Sequence, residues 1–216
     1  MAEHSDDDEP LISLKQGTTN ARAVQAYYDD WAECYDATLQ SWQYRAPEDA
    51  ANLLSPLLKA GIRVLDIGCG TGQLGQALRK HAEIALDGID ISSASLEQAK
   101  KRGIYGSLLQ HDLQKTPLPV GANIYDIAAT VGVLTYIGDA ETLLRDLCRT
   151  VRKGGVIAFT QRTDLWDERG FDQMIMEMEA DGLWQRQKVS EPMLYLPGNE
   201  EFADEIRVIH TLCRVT

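Results

Sequence analysis

The stretch Val64 to Gly72, V-L-D-I-G-C-G-T-G, constrains the fold more than any other part of this chain. An apolar run through Ile62, Val64, Leu65 and Ile67 stops at glycines 68, 70 and 72, and a helical pattern opens at Leu74. That pattern describes a buried strand feeding a turn too tight for side chains, with a helix behind it. Glycine accepts positive φ and lets another molecule touch main chain. The free N–H groups of a helix N-terminus point at the same spot. The turn is therefore read as a place where a ligand lies against backbone.

The surrounding sequence alternates. Strands are expected at 62–67, 84–90, 105–110, 124–130, 156–161, 193–196 and 206–215, with helices at 73–81, 93–102, 140–152 and 167–181. Ser92 or Ser93 is the expected N-cap of the second of these helices and Gly103 its terminator. Before the glycine turn, a helix over 19–39 carries Tyr27, Trp31 and Tyr35 four apart on one face. A second helix starts at Pro47, carries Leu53, Leu54, Leu57 and Leu58, and stops at Gly61. Continuous apolar strands separated by helices imply an α/β fold, doubly wound, with a mostly parallel seven-stranded sheet covered by helices on both faces. The expected organisation is an acidic tail over 1–17 and a single domain over 18–216, made of an N-terminal helical cap (18–60) and a core (61–216).

With 21 basic against 33 acidic residues the net charge is −12. A chain this acidic repels phosphate backbones and anionic membrane surfaces, so neither nucleic acid nor membrane is an expected partner. The longest apolar stretch, Ile124 to Ile137, contains Asp126 and is too short to span a bilayer. The start, E-H-S-D-D-D-E-P, is the opposite of a signal peptide. Cys34, Cys69, Cys148 and Cys213 are far apart with no C-x-x-C pair, which argues against disulfides and thiolate zinc and suits a reducing, cytoplasmic setting. No two histidines have metal-ligand spacing, so no metal is expected.

In open α/β sheets ligands sit beyond the carboxyl ends of the strands. The residues expected there are Asp66 with the glycine turn; Asp90, whose carboxylate can accept from a ribose diol; His111, Asp112 and Leu113; Thr130 to Gly132; and Gln161 with Arg162. A nicotinamide-binding turn reads G-x-G-x-x-G, but Gln73 occupies the last position and the third glycine falls at 72. A nicotinamide-dependent oxidoreductase is therefore the weaker alternative, because this turn suits a ligand without phosphates.

V-L-D-I-G-C-G-T-G followed by the acid ending the next strand resembles the class I S-adenosylmethionine (SAM)-dependent methyltransferases, which have a Rossmann-like fold. Q-H-D-L at 110–113, Y-D-I-A-A-T-V-G-V-L-T-Y-I at 125–137 and L-C-R-T-V-R-K-G-G-V-I-A-F-T at 147–160 resemble further segments of that family. The resemblance covers roughly 25–165. Y-Y-D-D-W-A-E-C-Y-D at 27–36, with Y-R-A-P at 44–47, is similar to the Williams–Beuren-region methyltransferase-like group. The resemblance implies that Gly68, Cys69 (through backbone) and Gly70 pack against the methionine part of SAM and that Asp66 orders the turn. It implies that Asp90 binds the ribose with Ile91 under the adenine, that Asp112 and Leu113 hold the adenine edge, and that the carbonyl of Val131 faces the methionine amino group. It also implies S-adenosylhomocysteine as product. The D/N-P-P-Y/F tetrapeptide of adenine and glutamine methyltransferases is replaced by Val131 to Leu134, which disfavours acceptors of that kind.

Other residues carry two readings each. The Tyr27, Trp31 and Tyr35 stripe either covers the cofactor, where aromatic faces attract a sulfonium, or simply docks the helix. Tyr44, Arg45, Thr135 and Tyr136 are candidates for the acceptor pocket. Arg162 either binds a substrate anion or pairs with Asp164 or Asp167. Cys69 has no base beside it and reads as a small buried filler. His111 and Tyr136 are the weak candidates for a catalytic base. The acceptor is expected to be a small molecule, with protein substrates left open, and a non-catalytic SAM-fold partner or sensor is the other alternative.

Overall fold

The expected alternation forms one sheet in a computed structural model, which describes residues 13–202 and 205–216. Five strands run parallel: β1 (Arg63–Ile67), β2 (Ala85–Asp90), β3 (Ser107–Gln110), β4 (Tyr125–Thr130) and β5 (Val151–Arg162). The chain then adds β6 (Trp184–Val189), β7 (Met193–Leu194) and β8 (Arg207–Val215), and β8 inserts antiparallel beside β5. The order is β3-β2-β1-β4-β5-β8-β6, with β7 also pairing to β8. Neighbouring β1 and β4 mark the switch point, where the loops leaving the carboxyl edge part to either side.

Each face of the sheet is filled by the helices whose apolar stripes fit it. Leu65 and Ile67 of β1, Ala128 of β4, and Ile157 and Phe159 of β5 pack with Leu143, Leu144 and Leu147 of α6 (Ala140–Thr150) and Ile175 and Met178 of α8 (Phe171–Ala180). Val64, Ile127, Val156 and Ala158 face the other way, against Ala51 and Leu54 of α3 (Ala46–Leu54) and Leu74 and Leu78 of α4 (Gln73–Arg79). The helix α5 (Ser93–Lys101) connects β2 to β3 and is capped by Ser92, whose Oγ accepts from the Ser95 N–H. A third cluster roofs the carboxyl edge. It joins α1 (Ala21–Trp31) and α2 (Tyr35–Ser41) to Tyr195, Leu196, Phe202 and Ile206 from the segment before β8.

Several elements differ from expectation, each for a local reason. The helix expected over 19–39 is broken at 32–34, and Asn20 caps α1 by accepting from the N–H groups of Arg22 and Ala23. The helix expected over 167–181 is two, α7 (Thr163–Glu168) and α8, parted at Gly170 with φ 63°. The strand β6, W-Q-R-Q-K-V, has no apolar run because it is an outer strand with four consecutive exposed residues, and charged side chains there discourage pairing with another chain. Helix α3, counted with the cap by the sequence, packs on the sheet beside α4. Of the expected tail, 1–12 lies outside the described residues, whereas Leu14 is buried in the roof. Among the described residues no helix is long and apolar enough to cross a membrane.

Phe159 is 1% exposed and stacks on Trp184 at 6.1 Å between centroids. Phe159→Ala should cost about 3–5 kcal/mol of unfolding free energy. Urea unfolding at unchanged m-value measures it, and a loss below about 1 kcal/mol would refute this packing.

Candidate functional site

The turn after β1 has the conformation its glycines suggested. Gly68, Gly70 and Gly72 have φ of 67°, 51° and 90°. A Cβ on Gly68 would lie 2.2 Å from Val133 Cγ2, so the loops after β1 and β4 touch only because this residue has no side chain. In front of Gly70 the space is open, with nothing within 4 Å of an added Cβ. The N–H groups of Gly68 and Cys69 both donate to the Ile89 carbonyl, at 2.7 and 3.0 Å, which ties the turn to β2.

Asp90 joins the two loops. Its Oδ2 accepts from the Gly70 N–H at 2.7 Å and its Oδ1 from the Ser92 N–H at 2.8 Å. Burial raises its pKa, and these backbone donors oppose the rise. A carboxylate has about four lone-pair directions, so these backbone donors leave acceptor capacity on Asp90, which lines the cleft. Beneath the turn, Asp66 accepts from the Tyr105 hydroxyl at 2.7 Å. The thiol of Cys69 is directed at Gly88, where an added Cβ would meet Sγ at 2.8 Å, and burial pushes its pKa well up. That is the inert filler the sequence suggested.

Two carboxylates of the Y-Y-D-D-W-A-E-C-Y-D segment hold the roof down. Asp29 of α1 accepts from Ser92 Oγ at 2.7 Å and from the Ala94 N–H at 3.1 Å, at the start of α5. Asp36 of α2 accepts from Thr71 Oγ1 at 2.6 Å and Gln73 Nε2 at 2.8 Å, and pairs with Arg102. The break at 32–34 lets these residues reach two different elements. Gln114 adds a third tie, donating to the Thr19 carbonyl at 2.8 Å and accepting from the Gly138 N–H at 3.1 Å.

The resulting cleft is lined by Gly68, Gly70, Asp90, Ile91, Asp112, Leu113 and Val131 of the expected cofactor set, with Tyr35 and Tyr136. A smaller adjoining pocket is lined by Asp66, Cys69, Tyr44 and again Tyr35 and Val131. Tyr27 and Trp31 are outside both linings and pack within the aromatic roof, Trp31 against Trp42 at 5.7 Å. Tyr28 lines the cleft in their place. The four-residue stripe missed it because the helix breaks before Tyr35, although Tyr28 lies one turn beyond buried Val24.

The remaining candidates separate clearly. His111 turns Nε2 to the Lys115 carbonyl at 2.8 Å and does not line the cleft. Arg45 is on the surface, paired with Asp49. Thr135 is buried and donates to Gln161 Oε1 at 3.1 Å. Arg162 is buried but engaged: it pairs with Asp164, donates to the carbonyls of Leu14 and Lys15 at 2.8 and 3.1 Å, and lies over the Phe202 ring. Tyr195 and Gln114 were not singled out from sequence, because nothing local marks a tyrosine in a late loop or a glutamine after the third strand.

The comparisons with known proteins bear on the family and the fold. Residues 64–155 match the family described as a methyltransferase domain. Human methyltransferase-like protein 27 is 30% identical over 165 residues, covering 74% of this chain and 67% of that protein. The chain belongs to the class I SAM-dependent methyltransferases. Malonyl-[acyl-carrier protein] O-methyltransferase of Salmonella typhimurium is 31% identical over 65% of this chain, which spans about half of that relative (54%). Among solved structures, a TehB-like SAM-dependent methyltransferase from Corynebacterium glutamicum superposes with TM-score 0.65 at 17% identity, covering 88% of this chain and 99% of that one. The [4+2]-cyclase SpnF superposes with TM-score 0.62 at 17% identity, covering 78% and 81%. These superpositions share the Rossmann-like methyltransferase fold.

Within this family member, Asp66 has a measurable signature. Burial pushes its pKa up from 3.8 to about 7, against the Tyr105 hydrogen bond and with Asp90 adding to the rise. Between about pH 4 and 7 the unfolded chain has released this proton while the folded chain keeps it, so rising pH withdraws stability across that window and no further above it. Asp66→Asn removes the titration. Its unfolding free energy relative to wild type should therefore improve from pH 4 to pH 7 and level off above, as read by urea unfolding at stepped pH. A difference flat across that window would show that Asp66 is ionised when folded.

Proposed function

We propose that the chain binds SAM in the roofed cleft and transfers its methyl group to a small-molecule acceptor by in-line displacement. The observation that carries this reading is the charge of the lining. The cleft presents the carboxylates of Asp90 and Asp112 and, among the described residues, neither it nor its adjoining pocket is lined by Lys or Arg, so a pyrophosphate would meet uncompensated negative charge. What the lining offers instead is the Asp90 carboxylate for a ribose diol, Ile91 and Leu113 as walls for adenine, Asp112 at its edge, and open space against Gly70. These residues fit an adenosyl group joined to a short polar chain and disfavour a dinucleotide.

SAM supplies an electrophilic methyl on positive sulfur, and the protein's part is to hold acceptor and methyl in line. Tyr28, Tyr35 and Tyr136 line the same cleft and are the residues assigned to acceptor specificity. The bacterial relatives named for malonyl-[acyl-carrier protein] support an acceptor methylated on oxygen. The net charge of −12 argues against nucleic acid as substrate. Four free cysteines suit a reducing cytoplasm.

Calorimetry should detect binding of both SAM and S-adenosylhomocysteine and none of NAD. Asp90→Ala should weaken both by about 1–3 kcal/mol, roughly 5- to 150-fold. Wild type that binds neither, or a variant that binds as wild type does, would overturn the assignment. SAM binding with no acceptor methylated by wild type would favour a partner or sensor role.

A further inference from the structure

A buried cation outside the cofactor cleft holds the segment that leads into the roof. Arg162, the last residue of β5, is 3% exposed. It donates from Nη1 to the Leu14 carbonyl at 2.8 Å and from Nη2 to the Lys15 carbonyl at 3.1 Å. Its Nε donates to Asp164 Oδ1 at 3.0 Å, Nη2 donates also to Asp164 Oδ2, and the guanidinium lies 5.1 Å from the centroid of the Phe202 ring. These hydrogen bonds occupy all but one of the N–H donors a guanidinium has. Leu14 is buried in one cluster with Val24, Tyr136 and Phe202. Gly17, at φ 62°, packs so closely that an added Cβ would lie 3.2 Å from Thr135 Cγ2 and 3.8 Å from Arg162 Nη1.

This segment reaches the cleft only through the helix that follows it. No residue of 13–18 lines the cleft or the pocket beside it, whereas Ala21, Val24 and Tyr28 of α1 line the cleft. Val24 is the one buried residue of α1, so the helix is held chiefly at its ends. Asp29 fastens one end to the start of α5. At the other end stand the Gln114 bond to the Thr19 carbonyl and the Arg162 clasp. Elements with little buried apolar surface open locally at low cost. When Leu14 and Lys15 leave, the guanidinium keeps Asp164, whose side chain is 37% exposed, and gains water. The clasp therefore opens without stranding an unpaired charge, and it can close again.

We propose that residues 13–18 are a latch on the cofactor cleft and that Arg162 is the positioning residue that holds it shut. Opening of the latch paces the entry of SAM and the departure of S-adenosylhomocysteine. The proposal rests on the methyltransferase reading above. A ligand enclosed between roof and sheet passes only while α1 is lifted, so both rates scale with the open fraction. Neither Arg162 nor residues 13–18 line the cleft, so weakening the clasp favours opening equally with and without ligand. Association and dissociation then accelerate by one common factor while affinity stays constant. Damage to the binding surface does not give that signature, because it speeds dissociation and loses affinity in proportion.

Stopped-flow tryptophan fluorescence on the full chain, with Trp31 and Trp42 packed in the roof, follows SAM and S-adenosylhomocysteine. Arg162→Gln should raise both the association and the dissociation rate of S-adenosylhomocysteine by about tenfold, the loss of hydrogen bonds from a charged donor, with Kd changed by less than about twofold. Leu14→Ala loosens the same segment without touching the ion pair and should accelerate both rates as well. Wild-type rates in Arg162→Gln overturn the latch and leave the methyltransferase reading standing. Faster dissociation alone, with affinity lost in proportion, also overturns it, because the segment then supports the binding wall instead of gating it. Should circular dichroism show Arg162→Gln unfolded, Leu14→Ala decides by the same two criteria. Wild type that binds neither SAM nor S-adenosylhomocysteine sinks both readings.

Discussion

One carboxylate organises the site. Asp90 accepts from the Gly70 N–H with one oxygen and from the Ser92 N–H with the other, so the glycine turn and the start of α5 share a single acceptor. Ser92 in turn caps α5 and donates to Asp29 of the roof. The turn, the second loop and the first helix are thus linked through two residues. Desolvating a carboxylate is costly unless its lone pairs are met, and here backbone donors meet part of that cost before any ligand arrives.

The roof follows different physics. Its aromatic rings give it area, but its position is fixed by polar ties: Asp29 to α5, Asp36 to Thr71, Gln73 and Arg102, Gln114 to the Thr19 carbonyl, and Arg162 to the carbonyls of Leu14 and Lys15. Ring packing alone is weakly directional, whereas charge-assisted hydrogen bonds fix register.

How much of this was legible in the sequence depended on whether the signal was local. The strand, turn and helix around Gly68, Gly70 and Gly72 could be read because a backbone conformation demanded a residue type. Asp90 could be placed because it ends the second strand at the same edge, and Asp112 because Q-H-D-L resembles the matching segment of the family. The polar outer strand β6 was hidden, since only Trp184 and Val189 at its two ends reach the core and the four residues between them are polar and exposed. Tyr28 and Tyr195 were hidden for another reason. They meet Tyr35, Tyr44 and Tyr136 only after the helix breaks at 32–34 and the segment before β8 folds back across the sheet. Arg162 was recognised as lying at the ligand edge, but its occupation by Asp164 and by the carbonyls of Leu14 and Lys15 is a long-range fact.

The composition of the roof has a kinetic consequence. Its residues come from both ends of the described chain, Leu14 to Tyr44 on one side and Tyr195 to Ile206 on the other, and Arg162 clasps Leu14 from 148 positions away. The parallel sheet and its helices close with shorter separations, so chain-closure entropy makes the roof the last part to assemble. Regions joined that way are also the first to open by sub-global unfolding. Amide exchange should therefore run faster in α1 and α2 than in β1 and β4.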